Sequence, residues 1–208
     1  MRYDGFTPGE ADLALGVQEL FERQREGAFS FLLANLIDRR SNKPVFSPYV
    51  IRTWDDLKVG IFGLLADGFT LSPSTGDREH YVLADPIETA AAVVDLLKAE
   101  GCRVIICVAH LPANEQRKLA LATPGIHFLV SGHDGSRKPA MEEINGVEIL
   151  RAGSKGEHLG QLEFAMAGDR LLYHYQTIPL DRNLADDPQI GAMVRQYKEW
   201  VRALIAEE

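Results

Sequence analysis

Apolar positions along this chain follow two rhythms, a helical spacing and unbroken β-branched runs, and the alternation between them predicts the elements. Leu13, Val17, Leu20 and Phe21 recur at helical intervals, predicting a helix over Ala11–Arg25. Phe29–Asn35 reads as a short apolar strand ending in a polar residue, Lys58–Leu64 as another, and the Gly- and Pro-bearing stretch Asp67–Glu79 as a loop. A well-marked helix follows. Asp85 suits its N-cap, Pro86 its first position and Gly101 its stop, with Ile87, Ala90, Ala91, Val94 and Leu97 as one apolar stripe. Val104–Ala109 is continuous and largely β-branched, the mark of a strand covered on both faces. A short helix over Asn114–Ala122 leads to further strands at Phe128–Val130 and Val147–Leu150. Gln161–Leu180 then predicts an antiparallel hairpin turning at Ala167–Arg170. A last helix, opened by Asp187 and Pro188, presents Ile190, Met193, Val194, Tyr197, Val201, Leu204 and Ile205 as an expected buried stripe.

Strands alternating with helices, followed by an antiparallel piece, predict an α/β layered domain with a mixed sheet over residues 1–182, and an amphipathic helix over 183–208. No repeat or low-complexity tract interrupts it. Composition changes this picture little: 46% hydrophobic and 25% charged residues describe a globular chain and exclude disorder. The net charge of −8 argues against a nucleic-acid polymer as partner, which needs a basic footprint. It does not argue against a small phosphorylated molecule, because a metal supplies positive charge locally. No run approaches the ~20 apolar residues of a membrane span, and the sequence as it stands opens without the apolar core of an export signal. Cys102 and Cys107, in one extended run, would stand roughly 16 Å apart at about 3.3 Å per residue. That is too far for a disulfide, so both are expected free and buried.

Two buried runs each end in a histidine: Val104 to His110, and Phe128 to His133. The carboxyl ends of strands are where α/β sheets bind ligands, and imidazole is the commonest side-chain metal ligand. Residue types and spacing are met equally by two imidazoles capping their strands and by two ligands sharing one ion. His80, His127, His158 and His174 lack ligand spacing and are expected to be structural. Gly60 and Gly63 make no phosphate-cradling signature, and no Ser-His-Asp or reactive-cysteine arrangement is evident.

Residues 101–135 resemble the 5′-nucleotidase and UDP-sugar hydrolase branch of the calcineurin-like metallophosphoesterases. The strand Val104-Ile105-Ile106-Cys107-Val108-Ala109-His110 is similar to that family's "vIvLsH" strand, and Thr123–Phe128 to its "pgIDlil" strand. Gly132-His133-Asp134 resembles the start of its Gly-His-x-His motif, and Ala152-Gly153 with Leu159-Gly160 its "aG…lG" segment. The helix beginning Asp85-Pro86-Ile87-Glu88, the segment Ile178–Asp181 and the closing helix also fit. Tyr3–Asp12 resembles the "YDa-x-t-x-Gly-Asn-His-Glu" segment, with Glu10 at the metal-binding Asn and Ala11 at the His that assists the leaving group.

The resemblance implies a metallophosphoesterase-like sandwich lacking its first strands, with an exposed sheet through which the chain could self-associate. It implies His110, His133 and Glu10 as ligands of at most one divalent ion, zinc, manganese or similar. Asp134 reads as a turn residue that could also support His133, and Asp12 as a helix N-terminal acid that could also lie behind the ligands. It also implies losses. Ala11 leaves no catalytic acid, Gly135 stands where the last ligand of Gly-His-x-His belongs, and no Asp-x-His or Gly-Asp-x-x-Asp segment is present. Two functions follow as expectations: a metal-dependent phosphoesterase of 5′-nucleotidase type acting on a nucleotide or related ester, weakened in this chain, or a non-catalytic relative that binds a ligand, a metal or a partner. Many members of the resembled branch are exported, which leaves localisation open.

Overall fold

The computed structural model describes residues 3–206 apart from 28, 70, 72–74 and 134–137. The first part of the chain runs β1 (Gly5–Phe6), α1 (Glu10–Leu13), α2 (Val17–Gly27), β2 (Ser30–Phe31), β3 (Leu36–Asp38) and β4 (Lys43–Pro44). There follow β5 (Tyr49–Trp54), β6 (Leu57–Leu65), α3 (Asp77–His80), β7 (Tyr81–Leu83), α4 (Pro86–Ala99), β8 (Val104–His110) and α5 (Ala113–Ala122). The last part holds β9 (Phe128–Ser131), β10 (Ala140–Ile144), β11 (Val147–Arg151), β12 (His158–Ala167), β13 (Arg170–Pro179) and α6 (Pro188–Ala206).

The main sheet has the strand order β10-β11-β9-β8-β6-β5. Its middle strands, β11, β9, β8 and β6, are parallel, and an antiparallel strand closes each side. The mixed α/β sheet is the one expected. β8 lies at its centre with Val104, Ile105, Cys107 and Ala109 buried, which explains why its apolar run is unbroken. On one face α4 and α5 bring Ala90, Val93, Val94, Leu97, Leu119 and Ala120 against Phe62, Ile105, Cys107, Leu129 and Ile149. On the other, the β12–β13 hairpin lays Leu162, Phe164, Met166, Leu171 and Tyr175 over Val59, Val104, Phe128 and Leu150. Both cysteines are free and buried, and burial pushes the Cys107 thiol far above its ordinary range. The start of α4 is as expected: the Asp85 carboxylate accepts from Ile87 N and Glu88 N, both at 2.8 Å.

Three expectations need correction. The predicted Ala11–Arg25 helix is two helices, because Gly16 turns the chain at φ +96° and α2 starts afresh beyond it. The second start is capped from a distance: the buried Asp77 carboxylate accepts from Val17 N at 2.9 Å and from Thr75 Oγ1 at 2.8 Å. The predicted Phe29–Asn35 strand shrinks to β2, parallel to β1. Asn35 is fully buried in a turn, where its side chain donates to Leu65 O (2.7 Å) and Ala84 O (3.0 Å) and accepts from Leu65 N (3.0 Å). It therefore pairs with the last residue of β6 as a strand neighbour would.

The third correction concerns α6. Its stripe is exposed rather than buried: Met193 is 62% and Tyr197 63% accessible, and Ile190, Val194, Leu204 and Ile205 are also open. No helix among the described residues is long and apolar enough to cross a membrane.

Candidate metal site

β8 and β9 are parallel neighbours in register from Ile106–Phe128 to Ala109–Ser131, so their chains leave the sheet side by side. His110 is the last residue of β8, and His133 lies two residues beyond β9. The rings consequently meet, with centroids 4.7 Å apart and planes at 52°. The third member arrives from the start of the chain. The Asp12 carboxylate accepts from Gly9 N at 2.8 Å, fixing the first turn of α1, and the first residue of that helix is Glu10. Glu10 Oε2 makes a short hydrogen bond with His110 Nε2, and Oε1 lies 3.5 Å from His133 Nδ1.

One donor atom from each of Glu10, His110 and His133 falls within 4.8 Å of the others, and no second such group exists among the described residues. The structure thus brings together the three candidate ligands named from the sequence. Asp12 stands outside the group as a helix-start acid that holds the backbone under Glu10. Asp134, with the Gly135 position, lies outside the described residues.

Sequence reasoning passed over two further residues. Phe69 packs against both rings, 5.1 Å from His133 and 5.9 Å from His110, and forms an apolar wall. Its only sequence signal is a lone aromatic in a polar loop. Gly9 lies flat on His110: a methyl group there would stand 2.8 Å from Cε1 and 3.0 Å from Nε2, so the ring can come this close only over glycine. Of the histidines read as structural, His127 shows its role. Its Nδ1 accepts from Ile105 N at 3.1 Å while its own N–H donates to Ile105 O at 2.9 Å.

The charge states suit a cation. Burial lowers the His110 pKa more than the adjacent Glu10 carboxylate raises it, so the imidazole stays neutral at neutral pH; its Nε2–H donates to Glu10, and a cation bound at Nε2 would take the place of that proton. Burial pushes the Glu10 carboxyl up. A hydrogen bond from its own backbone N–H and the two imidazoles outweigh that, and it ends below the usual range. Two imidazole nitrogens and one carboxylate, with the His133 side chain 39% accessible, match a three-ligand centre with a position open to solvent. They do not match a dinuclear centre, for which the described residues offer no bridging carboxylate or second ligand set.

No protein-family model matches the sequence. The human 5′-nucleotidase is 26% identical over 228 residues, covering 95% of this chain and 38% of that protein. Among solved structures, the Thermus thermophilus sulfate thiohydrolase SoxB superposes with a TM-score of 0.84 at 19% identity, over 93% of this chain and 36% of its own. The calcineurin-like phosphoesterase YfkN of Bacillus subtilis gives 0.78 at 24% identity, over 97% and 72%. The chain spans between 11% and 38% of the length of curated relatives such as YfkN and UshA. The fold is thus that of the calcineurin-like phosphoesterases, and in sequence the chain is similar to 5′-nucleotidases.

Proposed function

We propose that this chain is a single-metal phosphoesterase domain of 5′-nucleotidase type, with Glu10, His110 and His133 as its ligands and a nucleotide or related phosphate ester as its substrate. The observation that carries the reading is the convergence of those three donors from three separate elements, on a fold shared with calcineurin-like phosphoesterases. A divalent ion supplies polarisation of a phosphoryl oxygen and acidification of a water in such chemistry. The protein's own part is to hold two imidazoles and one carboxylate on one side of an open position, with Phe69 excluding water from another. A phosphate ester entering that position finds no proton donor at Ala11, so the leaving oxygen departs without the assistance that the resembled family supplies. The expected activity is therefore low and strongest on aryl esters, whose leaving groups need no proton.

The test pairs metal content after purification with hydrolysis of an aryl phosphate in zinc or manganese. About one ion per chain is expected, with a rate that disappears in the His110→Ala/His133→Ala double variant. Absence of bound metal, or an equal rate in the double variant, rejects the reading. Ala11 also favours a second reading, a domain that binds nucleotide and metal without turnover. Calorimetry showing nucleotide binding with no hydrolysis, even with Ala11→His in place, would establish that alternative over the first.

A further inference from the structure

Beyond the last backbone ties between β8 and β9, at Ala109–Ser131 and from Gly132 N to Ala109 O, no ladder joins the two histidine-bearing arms. A side chain crosses the gap there. Gln116 of α5 is fully buried, and its Nε2 donates to Leu111 O at 2.6 Å and to Ser131 Oγ at 2.7 Å. Leu111 directly follows His110, and Ser131 stands two residues before His133. One amide group thus uses both its hydrogens to hold the two arms at a set separation.

The amide cannot turn over. Its oxygen accepts from Arg151 at 3.1 Å, and a flipped group would aim hydrogens at a guanidinium. Arg151, 8% accessible at its side chain, is itself held by Glu142 at 3.2 Å, and Glu142 by Arg117 through 3.0 and 3.3 Å contacts. Those two arginines keep the Glu142 carboxyl below its usual pKa range. A buried amide and a buried guanidinium are costly where apolar side chains would pack as well, and what they add is direction.

We infer that Gln116, locked by Arg151, is a positioning residue that sets the distance between the His110 and His133 arms and hence the geometry of the proposed metal centre. The inference rests on the single-metal reading for its consequence, while its geometric content stands apart from it. The full chain serves for the test, with cobalt(II) and zinc as probes. Gln116→Met keeps the shape and removes the ties; Leu119→Ala loosens the same helix while leaving the Gln116 ties in place. Gln116→Met is expected to weaken metal binding about tenfold, in the range seen when the partners of ligands are removed, and to shift the cobalt absorption bands. Leu119→Ala is expected to lower the melting temperature with no change in affinity. Should Gln116→Met not fold, Ser131→Ala removes one tie alone, with an expected loss of about threefold scaled from the same range.

A second readout needs no metal: a nuclear Overhauser contact between the two imidazoles, which lie close enough to give one. It should be present in the parent chain and lost in Gln116→Met. If the parent chain takes up no metal while this contact behaves as stated, the single-metal reading fails and the positioning role stands. If Gln116→Met or Ser131→Ala leaves both affinity and contact as in the parent chain, the positioning role is overturned.

Discussion

Gly9 and His127 act at opposite ends of the same problem, which is how an imidazole is fixed in one place. Gly9 gives up its side chain so that His110 can lie on the backbone. Gly9→Ala should therefore leave the fold intact, push the ring off Glu10 and weaken zinc binding by roughly tenfold, measured by calorimetry; unchanged affinity would show that the ring has room to move aside. His127 is fixed by pairing its Nδ1 with Ile105 N, and burial, with Lys98 nearby, lowers its pKa below 6.5. A pKa lowered on folding means that the unfolded chain binds the proton first. The stability this contributes is complete above pH 6.5 and is lost as pH falls through the depressed value. His127→Asn keeps an acceptor for Ile105 N and removes the titration, so the fall in urea midpoint between pH 6.5 and 5 should flatten; an equally steep fall would locate the acid sensitivity elsewhere. Both site histidines were legible because each closes or closely follows an apolar run, which is a sequence feature. Glu10 was legible only through resemblance, since its approach depends on Gly9 and Asp12, and Phe69 was not legible because nothing in a polar loop tells where an aromatic ring lands.

Elements show the same division between local and distant causes. α4 and β8 were readable because their signals are local: a cap at Asp85, a stop at Gly101, and an apolar run covered on both faces. β5 and β10 were missed. Both are edge strands whose residues are only partly buried, so neither alternation nor a continuous run marks them. The break between α1 and α2 was hidden for another reason, because the group that caps α2 lies sixty positions later, at Asp77. Asp77→Ala leaves Val17 N without its buried acceptor and should cost about 1–2 kcal/mol, typical of a lost cap. It should also free the first turn of α2, seen as faster amide exchange at Val17. Asp77→Asn retains an acceptor oxygen and should recover most of the loss. If both variants cost the same, the charge of Asp77 matters more than the cap.

At the scale of the whole molecule, the two faces of the main sheet are covered by unlike layers, and α6 belongs to neither. Among the described residues, the buried clusters draw on α1, α2, α4, α5, the main sheet, the small strands β2, β3 and β7 and the hairpin, and none contains a residue of α6. The helix nevertheless has a well-formed start, with Asp187 accepting from Gln189 N at 2.9 Å and Ile190 N at 3.0 Å, and an apolar stripe of proper helical spacing. Its sequence therefore specifies a helix and a face, but periodicity carries no information about what that face meets. That is why a stripe expected to be buried is found open. Burial stabilises at roughly 25 cal/mol per Å² of apolar surface removed from water, and side chains left 44–69% accessible, as Ile190, Val194 and Ile205 are, contribute little of it. Removing residues 183–208 should accordingly shift the melting temperature by less than about 2 °C, the scale of a change under 1 kcal/mol in a domain of this size. Metal affinity should not change, because Glu10, His110 and His133 hang from α1, β8 and the chain beyond β9. A fall of more than about 5 °C would mean that the stripe is buried in solution and that α6 is part of the domain's core.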